Sequence, residues 1–281
     1  MIDLNVPWTN TKDGLLLLKS LKAQGWSTLG ANVYCQCDKD GILDIKINLP
    51  SSHEDRSASD SDSYCNTFST TLGRYHPNGP TLIRRITIVL HDGFQPNSVS
   101  KIADSRDYDI IAVMPTTQKT FQAACDTVNC DLINLDYYCH CIPFKIKRGM
   151  VMAALNRGCY FEVTMSTLDH LSDMGFEGKA VGKAFRSNFC GILNYIPLKR
   201  LVLSPGNNSV HKVLRPDTFI AVCNELVSNA IGAPSETVQC ITMAPRGCIS
   251  KGAARQTYGT GILVHKTGEA LGNKFSTLTT L

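Results

Sequence analysis

The chain begins MIDLNVPW, an apolar run carrying Asp3 and Asn5 two positions apart. In a β-strand such residues share a face, which is the spacing of two ligands at the end of a first strand. A hydrolytic metal site would need further histidines and carboxylates converging on the same rim. His91, Asp92 and Asp136 stand at the ends of later apolar runs and would complete at most a weak single-metal site. The other run ends carry Cys35, Pro115-Thr116, Thr164 and Ser204-Pro205, none of them a carboxylate or histidine. Asn is a poor ligand for transition metals, and no Ser-His-Asp order or nucleophile elbow is present. The expectation is a chain that does not catalyse alone and holds no metal or cofactor, with Asp3 and Asn5 kept for hydrogen bonding. Glu162, in mid-run, is expected to pair with an Arg or Lys inside a barrel.

Basic residues are better placed for a task. Residues 1–139 hold twelve basic and sixteen acidic side chains, whereas residues 140–281 hold sixteen basic and eight acidic. Such a half fits an anionic partner, RNA first. Lys183 and Arg186 recur at near-helical spacing, Lys199 and Arg200 precede an apolar run, and Arg215 precedes a helical pattern. Arg246, Lys251 and Arg255 fall in a Gly/Ala/Ser-rich stretch read as a tail with little to fix it. Lys and Arg so placed neutralise phosphates without reading sequence.

These side chains must be held by a scaffold, and the apolar runs suggest one. Seven runs of strand length occur at 2–6, 28–35, 84–90, 109–115, 131–137, 160–165 and 200–206. Helical patterns at 12–25, 118–128, 145–158, 178–196 and 216–232 lie among them, the last with Pro216 in its first turn. Strands separated by helices indicate parallel βαβ units. Seven of them predict an α/β, TIM-barrel-like fold, since no Gly-rich phosphate turn supports a doubly wound open sheet. The segment SSHEDRSASDSDSY, within a 36–80 insertion, has six serines and four acidic residues and is expected to form a mobile loop. One barrel domain over 1–265, followed by a tail over 266–281, is the expected organisation. No apolar run reaches the 18 or so residues of a membrane span, and no signal peptide is evident. Without a secretion signal, the twelve cysteines read as reduced, buried thiols.

DLNVPW, YDIIAVMPTT, DLINLDY, RGCYFEV, LVLSPG and LRPD, followed by PRGCISKGAARQTYG, come in an ordered set. Together they resemble the thirty-kilodalton protein subunit of ribonuclease P and ribonuclease MRP, over roughly residues 1–8 and 84–260. The resemblance implies a barrel of the polymerase-and-histidinol-phosphatase type without its metal ligands. It also implies a noncatalytic subunit of a nuclear and nucleolar ribonucleoprotein, whose RNA removes 5′ leaders from precursor tRNA and which also processes rRNA. Its implied partners are that catalytic RNA, precursor tRNA, a small subunit of ferredoxin-like fold and a second copy of the chain. The RNA-contact candidates are then Lys183, Arg186, Lys199, Arg200, Arg215, Arg246, Lys251 and Arg255, with Arg186 and Arg215 at matching family positions. A competing reading is a metal-dependent phosphoesterase using Asp3, Asn5, His91, Asp92 and Asp136. A third is a protein-interaction module without RNA contact.

Overall fold

All seven expected parallel strands form. A computed structural model describes residues 1–8, 12–38, 41–42, 81–135, 142–165, 175–209 and 213–258. Their order is β1 (Ile2–Pro7), α1 (Lys12–Ala23), β2 (Thr28–Asp38), β3 (Gly41–Ile42), β4 (Thr81–Leu90), α2 (Pro96–Asp104), β5 (Ile110–Pro115) and α3 (Gln118–Asp126). There follow β6 (Leu132–Asn134), α4 (Arg148–Asn156), β7 (Tyr160–Thr164), α5 (Gly175–Leu193), β8 (Leu201–Ser204), α6 (Pro216–Ile231) and α7 (Ala244–Tyr258). The parallel sheet runs β1-β2-β4-β5-β6-β7-β8, with β3 a short antiparallel addition to β2. Its two edges approach each other, so the sheet is a nearly closed barrel wrapped by helices. β6 is shorter than the expected 131–137 run, and residues 136–137 lie outside the described residues. So do the serine-rich 51–64 segment, most of the insertion and the tail.

Period-two alternation sorts the strand side chains into two cores. Leu29, Ala31, Val33 and Cys35 of β2, with Ile111, Val113, Phe161, Val163 and Leu203, pack outward under the helices. Inside, the lower half of the barrel, where strands begin, is apolar: Ile2, Leu4, Ile83, Ile110, Ala112, Leu132 and Val202. The upper half of the interior is polar.

Local signals set several helix ends. Thr117 caps α3 through a reciprocal box with Thr120. Pro216 starts α6, and Gly232 ends it in the left-handed region at φ 70°. Helix α2, which the sequence patterns do not announce, begins at Pro96.

The larger correction concerns residues 244–258. They form α7 rather than a loose tail, and the helix closes the lower mouth of the barrel. Ala244 and Cys248 join the inner apolar core. Its glycines explain both the misreading and the packing. Each costs a helix interior about 1 kcal/mol relative to Ala, yet each marks a close approach. A Cβ on Gly252 would lie 2.0 Å from the carbonyl oxygen of Asp109, and one on Gly247 would lie 2.1 Å from the Tyr160 hydroxyl. Arg255 fastens the helix from beneath. Its Nε donates to Asp131 Oδ2 at 3.0 Å, and its terminal nitrogens donate to the carbonyls of Ala103 (2.8 Å) and Tyr108 (3.0 Å).

Candidate nucleic-acid interface

The inner polar half is centred on a buried ion pair. Arg85 of β4 and Glu162 of β7 are both fully buried and face each other across the lumen at 2.5 and 2.7 Å. Glu162 thus takes the barrel partner expected for it. Its carboxylate also accepts from Asn134 Nδ2 at 2.8 Å and Ser204 Oγ at 2.6 Å. Arg85 additionally donates to Thr87 Oγ1 (3.2 Å) and to the Leu4 carbonyl (2.9 Å). Thr87 donates to Asn32 Oδ1, and Asn32 Nδ2 donates to Asn5 Oδ1 at 2.6 Å. Asn5 closes the set by donating to Thr164 Oγ1 at 3.0 Å. Two charges removed from water need this many partners, because an unsatisfied buried polar group costs about 1–3 kcal/mol.

Asp3 and Asn5 do not share a face. Asp3 pairs in register with outward-facing Leu29, but Val6 pairs with Ala31, so β1 carries one extra residue between them. This bulge turns Asn5 into the lumen beside Asn32 and frees the Leu4 carbonyl for Arg85. The strands approach so closely there that a Cβ on Gly30 would lie 2.5 Å from that carbonyl oxygen. Asp3 instead accepts from the Asn5 backbone N–H (3.0 Å) and from Asn207 Nδ2 (2.9 Å), the latter from the loop after β8. Burial pushes its carboxyl up to about 6.

The remaining strand-end residues also have local partners. His91 Nε2 bonds Gln36 Oε1 at 2.5 Å, and Asp92 Oδ1 accepts from Thr117 Oγ1 at 2.6 Å. Thr116 Oγ1 donates to the Leu90 carbonyl. Cys35 lies in the outer core, where burial pushes its thiol up to about 12. Asp136 lies outside the described residues, so the proposed His91–Asp92–Asp136 set is not assembled among those described. The described cysteines are free thiols, buried except for Cys190.

The basic candidates separate into groups. Lys183 and Arg186 are exposed on α5, and Arg215 is exposed at the upper end, just before α6. Lys199 is exposed at the lower end, in a 3₁₀ turn leading into β8. Arg200, beside it, stacks over the Tyr160 ring at 4.8 Å and donates to the Gly158 carbonyl at 3.3 Å. Arg246 is exposed on α7. Lys251, half-buried, donates to the Cys130 carbonyl at 2.7 Å and lies 3.2 Å from Cys159 Sγ. A hydrogen bond with Cys130 and the nearby Lys251 and Arg157 cations hold the Cys159 thiol down at about 6, against the effect of burial. Arg255 is 7% exposed and engaged by Asp131 and backbone carbonyls, so it is a structural clamp with no guanidinium turned to solvent. Sequence reasoning missed this because the acceptor, Asp131, lies far away in the chain.

Comparison with known proteins places this geometry in a family. Protein GAMETOPHYTE DEFECTIVE 1 of Arabidopsis thaliana is 35% identical over 115 residues, covering 41% of this chain and 18% of that protein. Ribonuclease P protein subunit p30 of Mus musculus is 35% identical over 83 residues, 29% of this chain and 31% of that protein. Ribonuclease P/MRP protein subunit RPP1 of Saccharomyces cerevisiae is 24% identical over 174 residues, 58% and 54% of the two. The matches therefore span about half or less of these relatives' own lengths. A chain from the cryo-EM structure of archaeal ribonuclease P with mature tRNA is 16% identical and superposes with a TM-score of 0.57. That superposition covers 96% of this chain and 100% of the archaeal one, and it shows a shared fold. The family model for RNase P subunit p30 matches residues 1–257, so the chain belongs to the RNase P subunit p30 family.

Proposed function

We propose that this chain is a noncatalytic protein subunit of a ribonuclease P particle, and of the related MRP particle, acting as a scaffold for their RNA. In this reading the RNA performs the cleavage that removes 5′ leaders from precursor tRNA. The chain supports that RNA by neutralising its phosphates, and it holds a small ferredoxin-like subunit and a second copy of itself. The particle would be nuclear and nucleolar.

One observation carries the reading beyond family membership. The described polar side chains inside the upper half of the barrel, beneath the rim where a barrel enzyme assembles its catalytic groups, are bonded to one another. Exposed cations stand on the outside (Lys183, Arg186), at the upper end (Lys147, Arg148, Arg215) and at the lower end (Lys199, Arg246). Phosphate contacts from such cations give affinity and position without sequence readout. The proposed contacts are Lys183, Arg186, Lys199, Arg200, Arg215, Arg246 and Lys251. Arg255, being clamped, is omitted.

The test is affinity purification of the tagged chain from its own cells, followed by sequencing of co-purifying RNA. Enrichment of the ribonuclease P and MRP RNAs is expected. Absence of both, or stoichiometric zinc or manganese with a phosphodiesterase activity abolished in Asp92→Ala, would overturn the proposal.

A further inference from the structure

At the lower end a cavity of about 490 Å³ opens between the starts of β1, β2 and β4 and the flank of α7. Its size lies within the range of small-ligand sites. Ile2, Ile83, Ile249 and Ala253 give it apolar walls, and Arg246, Thr28 and Thr242 stand among its lining residues. The side chains of these three make no hydrogen bond or ion pair among the described residues, so a guanidinium and two hydroxyls remain available to a ligand. The lining carboxylate, Asp109, is already engaged by Arg84 at 3.0 Å and by Gln256 at 3.1 Å. It therefore adds little net repulsion toward an anion.

We propose that this cavity binds one nucleoside monophosphate unit, with the base between the isoleucine walls and the phosphate on Arg246. The chemistry selects this class. A fatty acid would fill the apolar walls but leave both threonine hydroxyls without partners. A bare phosphate would use Arg246 and leave the cavity empty. A nucleotide uses all three features: a flat face for the isoleucines, a polar base edge for Thr28 and Thr242, and an anion for Arg246. RNA-reading proteins commonly take hydrogen bonds to the edges of unstacked bases, which the two threonines can supply here. The unit can come from a base splayed out of RNA, a source that rests on the scaffold reading above, or from a free nucleotide, which does not.

The test is calorimetric titration of the full chain with AMP, GMP, CMP and UMP, and with ribose 5-phosphate, inorganic phosphate and decanoate as controls. At least one nucleotide is expected to bind 1:1 and at least tenfold more tightly than ribose 5-phosphate. That binding should fall at least tenfold in Arg246→Glu. It should also fall in Ala253→Phe, which fills the cavity and keeps the arginine, with circular dichroism melts confirming that each variant folds. Equal binding of ribose 5-phosphate, tighter binding of decanoate, no binding at all, or full binding by folded Ala253→Phe would each overturn the proposal. Photocrosslinking of purified particles containing 4-thiouridine separates the sources. A crosslink on Thr242 or Ile249 identifies RNA as the donor, whereas nucleotide binding without a crosslink identifies the free nucleotide. If nucleotides bind but no RNA co-purifies with the chain, the scaffold reading fails and the pocket stands. If RNA co-purifies but nucleotides do not bind, the reverse holds.

Discussion

The two ends of this barrel treat their polar groups in opposite ways. In the upper interior Asn5, Asn32, Thr87, Asn134, Glu162, Thr164 and Ser204 form one network around Arg85, while Asp3 and Asn207 bond to each other beside it. At the lower end Arg255 and Asp131 fasten α7, but Lys199 and Arg246 stand exposed and Thr28 and Thr242 lack partners among the described residues. A network that satisfies itself gives cohesion, whereas groups left unsatisfied at a surface are available for binding. The upper interior of this barrel is thus taken up by bonds that hold the fold, whereas the lower cavity keeps polar groups unbonded among the described residues.

The sharpest way to break that contrast is to remove the centre of the upper network. Glu162→Ala would leave Arg85 buried without its carboxylate and should lower stability by about 3–5 kcal/mol in urea denaturation. The double change Arg85→Met with Glu162→Leu should recover most of that loss, because it removes both charges together. A Glu162→Ala variant as stable as the parent would mean that the upper end is not a cohesive structural network.

Asp3 tests the same end through pH. Its buried carboxyl has a folded pKa of about 6, raised from 3.8. Between these values the native state keeps a proton that the unfolded chain has lost. Stability from this group is therefore greatest below about pH 4 and falls as pH rises toward 6, by on the order of 3 kcal/mol. Asp3→Asn should flatten that part of the profile in urea midpoints measured from pH 4 to 7. Parallel profiles for parent and variant would contradict a buried, desolvated Asp3.

These two residues also show what a reader of the sequence can and cannot see. The seven strands were legible because Ile, Val and Leu cluster into runs separated by helical periodicity. The partner of Glu162 was legible in kind, since a carboxylate inside an apolar strand needs a cation. The bulge at Leu4-Asn5 was not. Nothing in IDLNVP announces it, because it follows from Gly30 on the neighbouring strand and from Arg85 taking the Leu4 carbonyl. Helix α7 was hidden by its own packing. The glycines that let it sit against Asp109 and Tyr160 are the residues that make PRGCISKGAARQTY read as a tail. The lower cavity draws on Ile2, Thr28, Ile83, Thr242 and Ile249, a set that only the closed barrel brings together.

Gly252→Ala probes how α7 seats against the lower end. A Cβ 2.0 Å from a backbone oxygen cannot be accommodated unless α7 moves. Overpacking of this kind costs about 1–3 kcal/mol. The expected result is a lower melting temperature together with faster proteolysis near residues 244–258. An unchanged melt would mean that α7 is not seated against the Asp109 carbonyl.

The smallest expected effect on the fold is at Lys199. It is exposed at the lower end, and no hydrogen bond or ion pair of its side chain is found among the described residues. Surface changes of this type usually stay within about 0.5 kcal/mol, so Lys199→Glu should melt with the parent. Its effect should be seen in binding instead. For every phosphate that is no longer neutralised, the slope of log affinity against log salt falls by about 1, and affinity should weaken uniformly across RNA sequences. Lys147→Glu at the exposed upper end serves as the matched control, since it makes the same change of charge at the opposite end of the barrel. If the two variants alter RNA affinity equally, the lower end has no special role. A flattened salt dependence confined to Lys199→Glu would assign phosphate binding to the end of the barrel where its strands begin.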